Sequence, residues 1–135
     1  MSLDTIYKVD NLVKRYFVYK SEAKDTWSSY AKEILEAERT KKYLRIDDDC
    51  DTWAMTAIDL AAHYGVPLEK MGRVICWADV GNGKREGHMV AIYNDNGVYY
   101  YFGDTFGDPC NITRRNHNIV LVNWLNDNKE WIDWK

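Results

Sequence analysis

The chain has 135 residues, 46% of them hydrophobic, and a net charge of −3. That is the length of one ordinary domain with room for a core. Mild acidity without a basic block excludes the electrostatic footprint of a nucleic-acid binder, and no run approaches the roughly 18 apolar residues of a membrane helix.

The first twenty residues carry Asp4, Lys8, Asp10, Lys14, Arg15 and Lys20, which leaves no signal-peptide core. The expected location is therefore cytoplasmic. Leu12, Val13, Tyr16 and Phe17 suggest a short first helix. Trp27, Tyr30, Ala31, Ile34 and Leu35 recur at helical spacing and suggest a second. Asp47-Asp48-Asp49 then precedes Cys50, and Gly65 and Pro67 follow Tyr64. Asp is a good N-cap, and Gly then Pro is a good stop. A helix is predicted over residues 50–64, its stripe Cys50, Trp53, Ala54, Ala57, Ile58 and Ala61 facing the core.

The period then changes. Residues 73–78 read as a strand, Gly81 to Gly87 as a polar loop, and 88–93 and 98–102 as strands flanking Asn94-Asp95-Asn96-Gly97. Another strand is predicted at 119–122. The tail Trp124, Trp131 and Trp134 is expected to pack back onto the fold. The order of helices followed by antiparallel strands gives an α+β fold, a central helix packed on an antiparallel sheet. A three-residue hairpin loop ending at Gly97 pairs Asn94 with Val98. Extended, that register sets His88 opposite Asp104, on one face with Val90, Ile92, Tyr100 and Phe102. A two-residue loop would put the pair on a diagonal or on opposite faces.

Three cysteines, Cys50, Cys76 and Cys110, without a CxxC pair argue against a disulfide framework or a Cys-rich zinc site. Cys76 reads as a core residue of a strand, and Cys110 as a loop residue. His63 reads as an exposed helix residue and His117 as loop. Cys50 differs, because it opens a helix while His88 opens a strand and Asp104 closes the next. If the helix packs on the His88/Asp104 face, the three converge as a nucleophile, its base and later acid, and the group that orients the base. Asp108 is the fallback orienting acid. The Cys50 N–H is a candidate oxyanion donor, and the Trp27 indole a candidate second one. A helix N-terminus and a nearby imidazolium favour thiolate. Asp47, Asp48, Asp49 and Asp51 oppose it unless they cap the helix, pair with a base such as Arg45 or Arg73, or bind a cation. The Asp47, Asp49, Asp51 spacing opens like an EF-hand loop, but Thr52 and Ile58 stand where that loop needs Gly and Glu.

Asp49-Cys50-Asp51-Thr52-Trp53-Ala54, Gly65-Val66-Pro67, Gly87-His88-Met89-Val90 and Tyr101-Phe102-Gly103-Asp104 together resemble the bacterial transglutaminase-like cysteine peptidases of the transglutaminase/papain-like superfamily. On that resemblance, residues 1–135 form one such domain, with a helical part at 1–45 and the catalytic motifs at 47–105. It implies Cys50, His88 and Asp104 as the triad, acyl transfer at amide bonds, and a protein or peptide substrate. The chain departs from the family at Asp48, where glycine is usual, and at Thr52, where a second acid is usual. Some members bind calcium through the acids around the cysteine. Here the expectation is no cofactor, with Asp49 and Asp51 as the residues that would hold calcium. A small cytoplasmic or phage-type offshoot fits this pattern. The rival reading is a catalytically silent module used for protein binding or structure, which the acidic collar and small size favour.

Overall fold

A computed structural model describes residues 2–20, 28–125 and 132–133. Helix α1 (Ser2–Tyr16) is longer than its apolar signal suggested, and it buries Ile6, Val9, Leu12, Val13 and Tyr16 along one stripe. It leads into β1 (Phe17–Tyr19), then α2 (Ala31–Thr40) and β2 (Ile46–Asp48). β1 and β2 pair in parallel and set Tyr19 beside Asp48. Trp27, Trp131 and Trp134 lie outside the described residues, while Trp124 tilts against Tyr99.

Helix α3 (Cys50–His63) follows with Asp49 at its N-cap position. The Asp49 backbone is extended, as a cap requires, but its side chain makes no capping bond. Instead its own N–H donates to Asp48 Oδ1 at 2.8 Å. α3 is buried well beyond the predicted stripe, Thr52, Thr56 and Leu60 included. It lies between the sheet and the two N-terminal helices, so its polar-reading positions face protein as well.

The main sheet has the order β6-β5-β4-β3-β7-β8, every neighbour antiparallel. Its strands are β3 (Met71–Gly81), β4 (Lys84–Asp95), β5 (Val98–Phe102), β6 (Cys110–Asn111), β7 (His117–Trp124) and β8 (Ile132–Asp133). Met71, Met89, Ala91, Tyr93 and Phe102 join the helices in one core. Val74, Cys76, Val90, Ile92, Tyr101 and Val122 form a second cluster.

Two expectations are corrected. Gly81 to Gly87 is not a loop. The chain reverses at Asn82-Gly83 alone, both at positive φ, and β4 begins at Lys84. Its first residues are exposed, and their polarity disguised a strand. The second hairpin also turns on two residues, Asn96 (φ 53°) and Gly97 (φ 94°), so Asp95 pairs with Val98 and Ala91 with Phe102. That is the primed turn, whose twist matches the strands. The shift by one residue removes His88 from the face it was to share with Phe102. Phe102 lies with the helices, and α3 packs on the Met89/Ala91 side rather than the His88 side.

Gly103 repairs the consequence. It sits at φ 60°, ends β5 and lets the chain turn so that Asp104 reaches His88 despite the changed register. A Cβ at this position would stand 2.7 Å from Ala57 Cβ and 3.3 Å from the Trp53 carbonyl oxygen. The Gly103→Ala chain is expected to lose about 2–3 kcal/mol through left-handed strain and overpacking. Denaturant unfolding measures this, and a change within a few tenths of a kcal/mol would show that the turn tolerates a side chain.

Candidate active site

Asp104 is the buried centre of the site, with 0% of its surface exposed. Its Oδ1 contacts His88 Nε2 at 2.8 Å and accepts from the Phe106 N–H at 2.9 Å. Its Oδ2 accepts from Arg115 Nη1 at 3.0 Å and contacts His117 Nε2 at 3.0 Å. Burial by itself would raise this carboxyl. The hydrogen bonds from His117 and His88 overcome it and hold the group well below the usual carboxylate range. Asp104 is thus a fixed anion, and its bond to Nε2 leaves Nδ1 of His88 as the ring nitrogen free to exchange a proton with a substrate or nucleophile.

The approach to Asp104 is held from a second side. Asp10, buried in α1, accepts the Gly103 N–H at 2.7 Å. Lys14 bridges Asp10 at 2.7 Å and Asp108 at 2.6 Å. Asp108, the fallback orienting acid, is therefore an exposed partner of Lys14 and not a partner of His88.

Cys50 meets the sheet at its edge rather than on a face. Its sulfur accepts the Met89 N–H at 3.5 Å and donates to Asp51 Oδ1 at 3.6 Å. Neither partner is the imidazole. Cys50 and His88 border one cavity of about 360 Å³, together with Tyr19, Val80, Gly87 and Phe106. Burial pushes the Cys50 thiol up to about 12, and the charges of Asp51 and Asp49 add to this against the Met89 N–H. Burial and these two acids work against the expected thiolate preference. Asp47 pairs with Arg45 at 2.9 Å, but Asp51 takes the thiol proton's hydrogen bond itself. Arg73 donates to Asn123 and to the Met55 sulfur.

This geometry carries a prediction. Asp51→Asn removes one of the charges that hold the proton on sulfur. Cys50 alkylation by chloroacetamide at pH 8 is expected to quicken about three- to tenfold, with Cys76 unchanged. Peptide mapping by mass spectrometry reads both sites, and an unchanged Cys50 rate would remove Asp51 as the controlling charge.

His117, read from the sequence as loop, opens β7 instead. Its ring is buried on Asp104 and lies 5.3 Å from that of His88. Arg115, two residues earlier, was likewise unread. The signal was faint: a histidine at the head of an alternating strand, with an arginine two positions before it. His88, Asp104 and His117 bring three metal-ligating atoms within 4.8 Å of one another. The Arg115 guanidinium already puts positive charge on the same carboxylate, which disfavours a cation there. Cys76 is core, and its thiol faces the His88 carbonyl at 3.5 Å. Cys110 is half-buried in β6, and His63 is exposed on α3.

No family model and no curated protein sequence matches the chain. Solved structures do. The fold resembles that of LapG from Legionella pneumophila. One LapG structure matches with TM-score 0.69 and 17% identity over 98% of this chain and 69% of LapG. Calcium-bound LapG matches with TM-score 0.68 and 16% identity over 95% and 71%, and EGTA-treated LapG with 0.69 and 16% over 98% and 72%. The architecture is the α+β, papain/transglutaminase-like fold that the motif pattern implied.

Proposed function

We propose that this chain is a transglutaminase-like cysteine peptidase or amidase acting on protein or peptide amides through Cys50, His88 and Asp104. The observation that carries the reading is the 2.8 Å bond between His88 Nε2 and a fully buried, ionised Asp104, at the wall of a cavity that Cys50 also lines. The LapG-like fold and the family pattern around Cys50 support it.

With the Cys50 thiol donating to Asp51 and raised by burial, His88 acts toward it as a general base. The Cys50 proton passes to His88 Nδ1 as Sγ attacks the carbonyl carbon. Asp104 stabilises the imidazolium at Nε2. His88 then protonates the departing nitrogen as the C–N bond breaks, leaving a thioester on Cys50. Water, activated by His88, hydrolyses it and restores the thiol. Hydrolysis is the default outcome because water outnumbers any acceptor amine.

Calcium is the metal this fold family suggests. The oxygen donors of Asp49 and Asp51 are of the right type for it. Yet Asp51 is bonded to the Cys50 thiol, and the trio with closely gathered ligand atoms among the described residues is His88, Asp104 and His117. Among the described residues no third clustered side-chain ligand joins Asp49 and Asp51, short of the six to eight oxygens that calcium takes. Among the described residues, no helix is long and apolar enough to cross a membrane.

A second reading, a silent module that keeps the fold for binding, draws on one observation: the Cys50 sulfur is bonded to Asp51 and the Met89 N–H and not to the imidazole. Incubation with a mixed pool of unstructured peptides separates the two. The wild-type chain is expected to release new termini and Cys50→Ser none. An intact pool after prolonged incubation would leave only the silent module.

A further inference from the structure

β7 carries one irregularity, and it decides where His117 points. Ile75 of β3 pairs with Leu121, but its neighbour Cys76 pairs with Ile119, so exposed Val120 is left out of the ladder. An unbroken register would set His117 opposite Asp79, on the other face of the sheet. The extra residue reverses the parity of what precedes it, and His117 pairs with Ala78 instead. Ala78 lies two residues from Cys76, the partner of His88. Both imidazoles therefore stand on one face, their rings 5.3 Å apart. Bulges recur beside active sites, where they re-aim a side chain.

What His117 meets there is the carboxylate of Asp104. An ionised carboxylate only accepts, so both histidines donate to it from Nε2. Oδ1 takes His88 and the Phe106 N–H, and Oδ2 takes Arg115 and His117. These four donors hold the group in one orientation. Arg115 by itself would pull it elsewhere. It reaches Oδ2 through Nη1 while Nη2 donates to the Asp108 carbonyl, and a guanidinium favours a fork onto both carboxylate oxygens. The imidazole pins Oδ2 against turning into that fork, and Oδ1 stays on His88. His117 also has the drier bond, its side chain 5% exposed against 16% for Arg115.

His117 borders a second cavity, of about 290 Å³, with Asp79 and Arg114. Phe106 borders both this cavity and the one lined by Cys50 and His88. His117 thus reaches the chemistry through Asp104.

We propose that His117 is a positioning residue: its bond to Oδ2 fixes the Asp104 carboxylate so that Oδ1 stays on His88 Nε2, which leaves Nδ1 of His88 to take the Cys50 proton. The effect on rate rests on the peptidase reading, and the effect on the His88 hydrogen bond does not.

The test compares two variants of the full chain. His117→Phe keeps a ring against Phe106 and Tyr101 but donates nothing. His117→Gln has no ring, but its side-chain amide can donate to Oδ2. In chain labelled with ¹⁵N-histidine, the His88 Nε2 proton is expected as a slowly exchanging downfield signal of a single tautomer. It persists in His117→Gln. In His117→Phe it is lost to exchange and both tautomers are present. Acetylation of Cys50 by p-nitrophenyl acetate slows about tenfold in His117→Phe, the effect of losing one bond to a charged group, and stays near the wild-type rate in His117→Gln. A His88 signal that His117→Phe leaves unchanged overturns the inference. So does the opposite order, with phenylalanine sufficient and glutamine not, because that is a packing role. Should His117→Phe not fold, His117→Gln decides alone, and loss of its His88 signal overturns the inference. The expected signals with no acetylation of Cys50 in the wild-type chain would sink the peptidase reading and keep the positioning bond. Acetylation that needs His88, with a His88 signal indifferent to His117, would do the reverse.

Discussion

Replacing Asp104 with alanine is expected to destabilise the fold by about 3–5 kcal/mol, the cost of stripping a partner from buried charge. In one step the variant takes their Asp104 acceptor from Arg115 Nη1, both histidine rings and the Phe106 N–H. For a chain of this length the melting temperature should fall by roughly 10–20 °C. The pH dependence identifies the cause. A carboxyl held below its ordinary range contributes stability that is present above that range and is lost as pH falls through the folded value. The wild-type chain should therefore lose stability steeply below about pH 4, and Asp104→Ala should show a shallower acid limb. A variant that melts with the wild type would mean the cluster around Asp104 adds nothing to the fold.

The second large effect concerns chemistry. His88→Ala is expected to slow acyl transfer to Cys50 by about 10²–10⁴-fold, the usual worth of a positioned general base. The expected loss is at the large end because the thiol is pushed up to about 12. At neutral pH almost no thiolate forms without a base. A nucleophile with a depressed pKa would depend on its histidine less. His88→Ala should remain folded, because Arg115, His117 and the Phe106 N–H still satisfy Asp104.

The α3 helix and the meeting of His88 with Asp104 are legible in the sequence. The α3 signal was strong because cap, stripe and Gly-Pro stop agreed. The pairing of His88 with Asp104 was anticipated, but for a reason the structure replaces. The expected register put the two side chains opposite each other on a sheet face. The actual register is shifted by one, and the left-handed Gly103 turn brings them together. A single residue in a hairpin loop decides such a face, and Asp95-Asn96-Gly97 is compatible with either loop length. Asn82-Gly83 carried the same turn signal as Asn96-Gly97. The residues after it are polar, and a strand that projects into solvent loses the alternation that betrays strands. β1 and β2 span only Phe17–Tyr19 and Ile46–Asp48, too short for any period to show. His117 and Arg115 reach Asp104 only through the β3–β7 pairing, a long-range contact with no local trace. The acids around Cys50 were legible as a charge problem. That one of them would hold the thiol itself depended on a side-chain direction that spacing does not encode.

Intact-mass measurement after brief exposure to p-nitrophenyl acetate at neutral pH bears most directly on the pairing of Cys50 with His88. Attack by Sγ transfers one acetyl group to the protein and expels p-nitrophenolate. The wild-type chain should gain a single acetyl, mapped to Cys50, with almost none in His88→Ala and none in Cys50→Ser. Acetylation spread evenly over Cys50, Cys76 and Cys110, or a Cys50 adduct forming equally fast without the His88 ring, would contradict the mechanism.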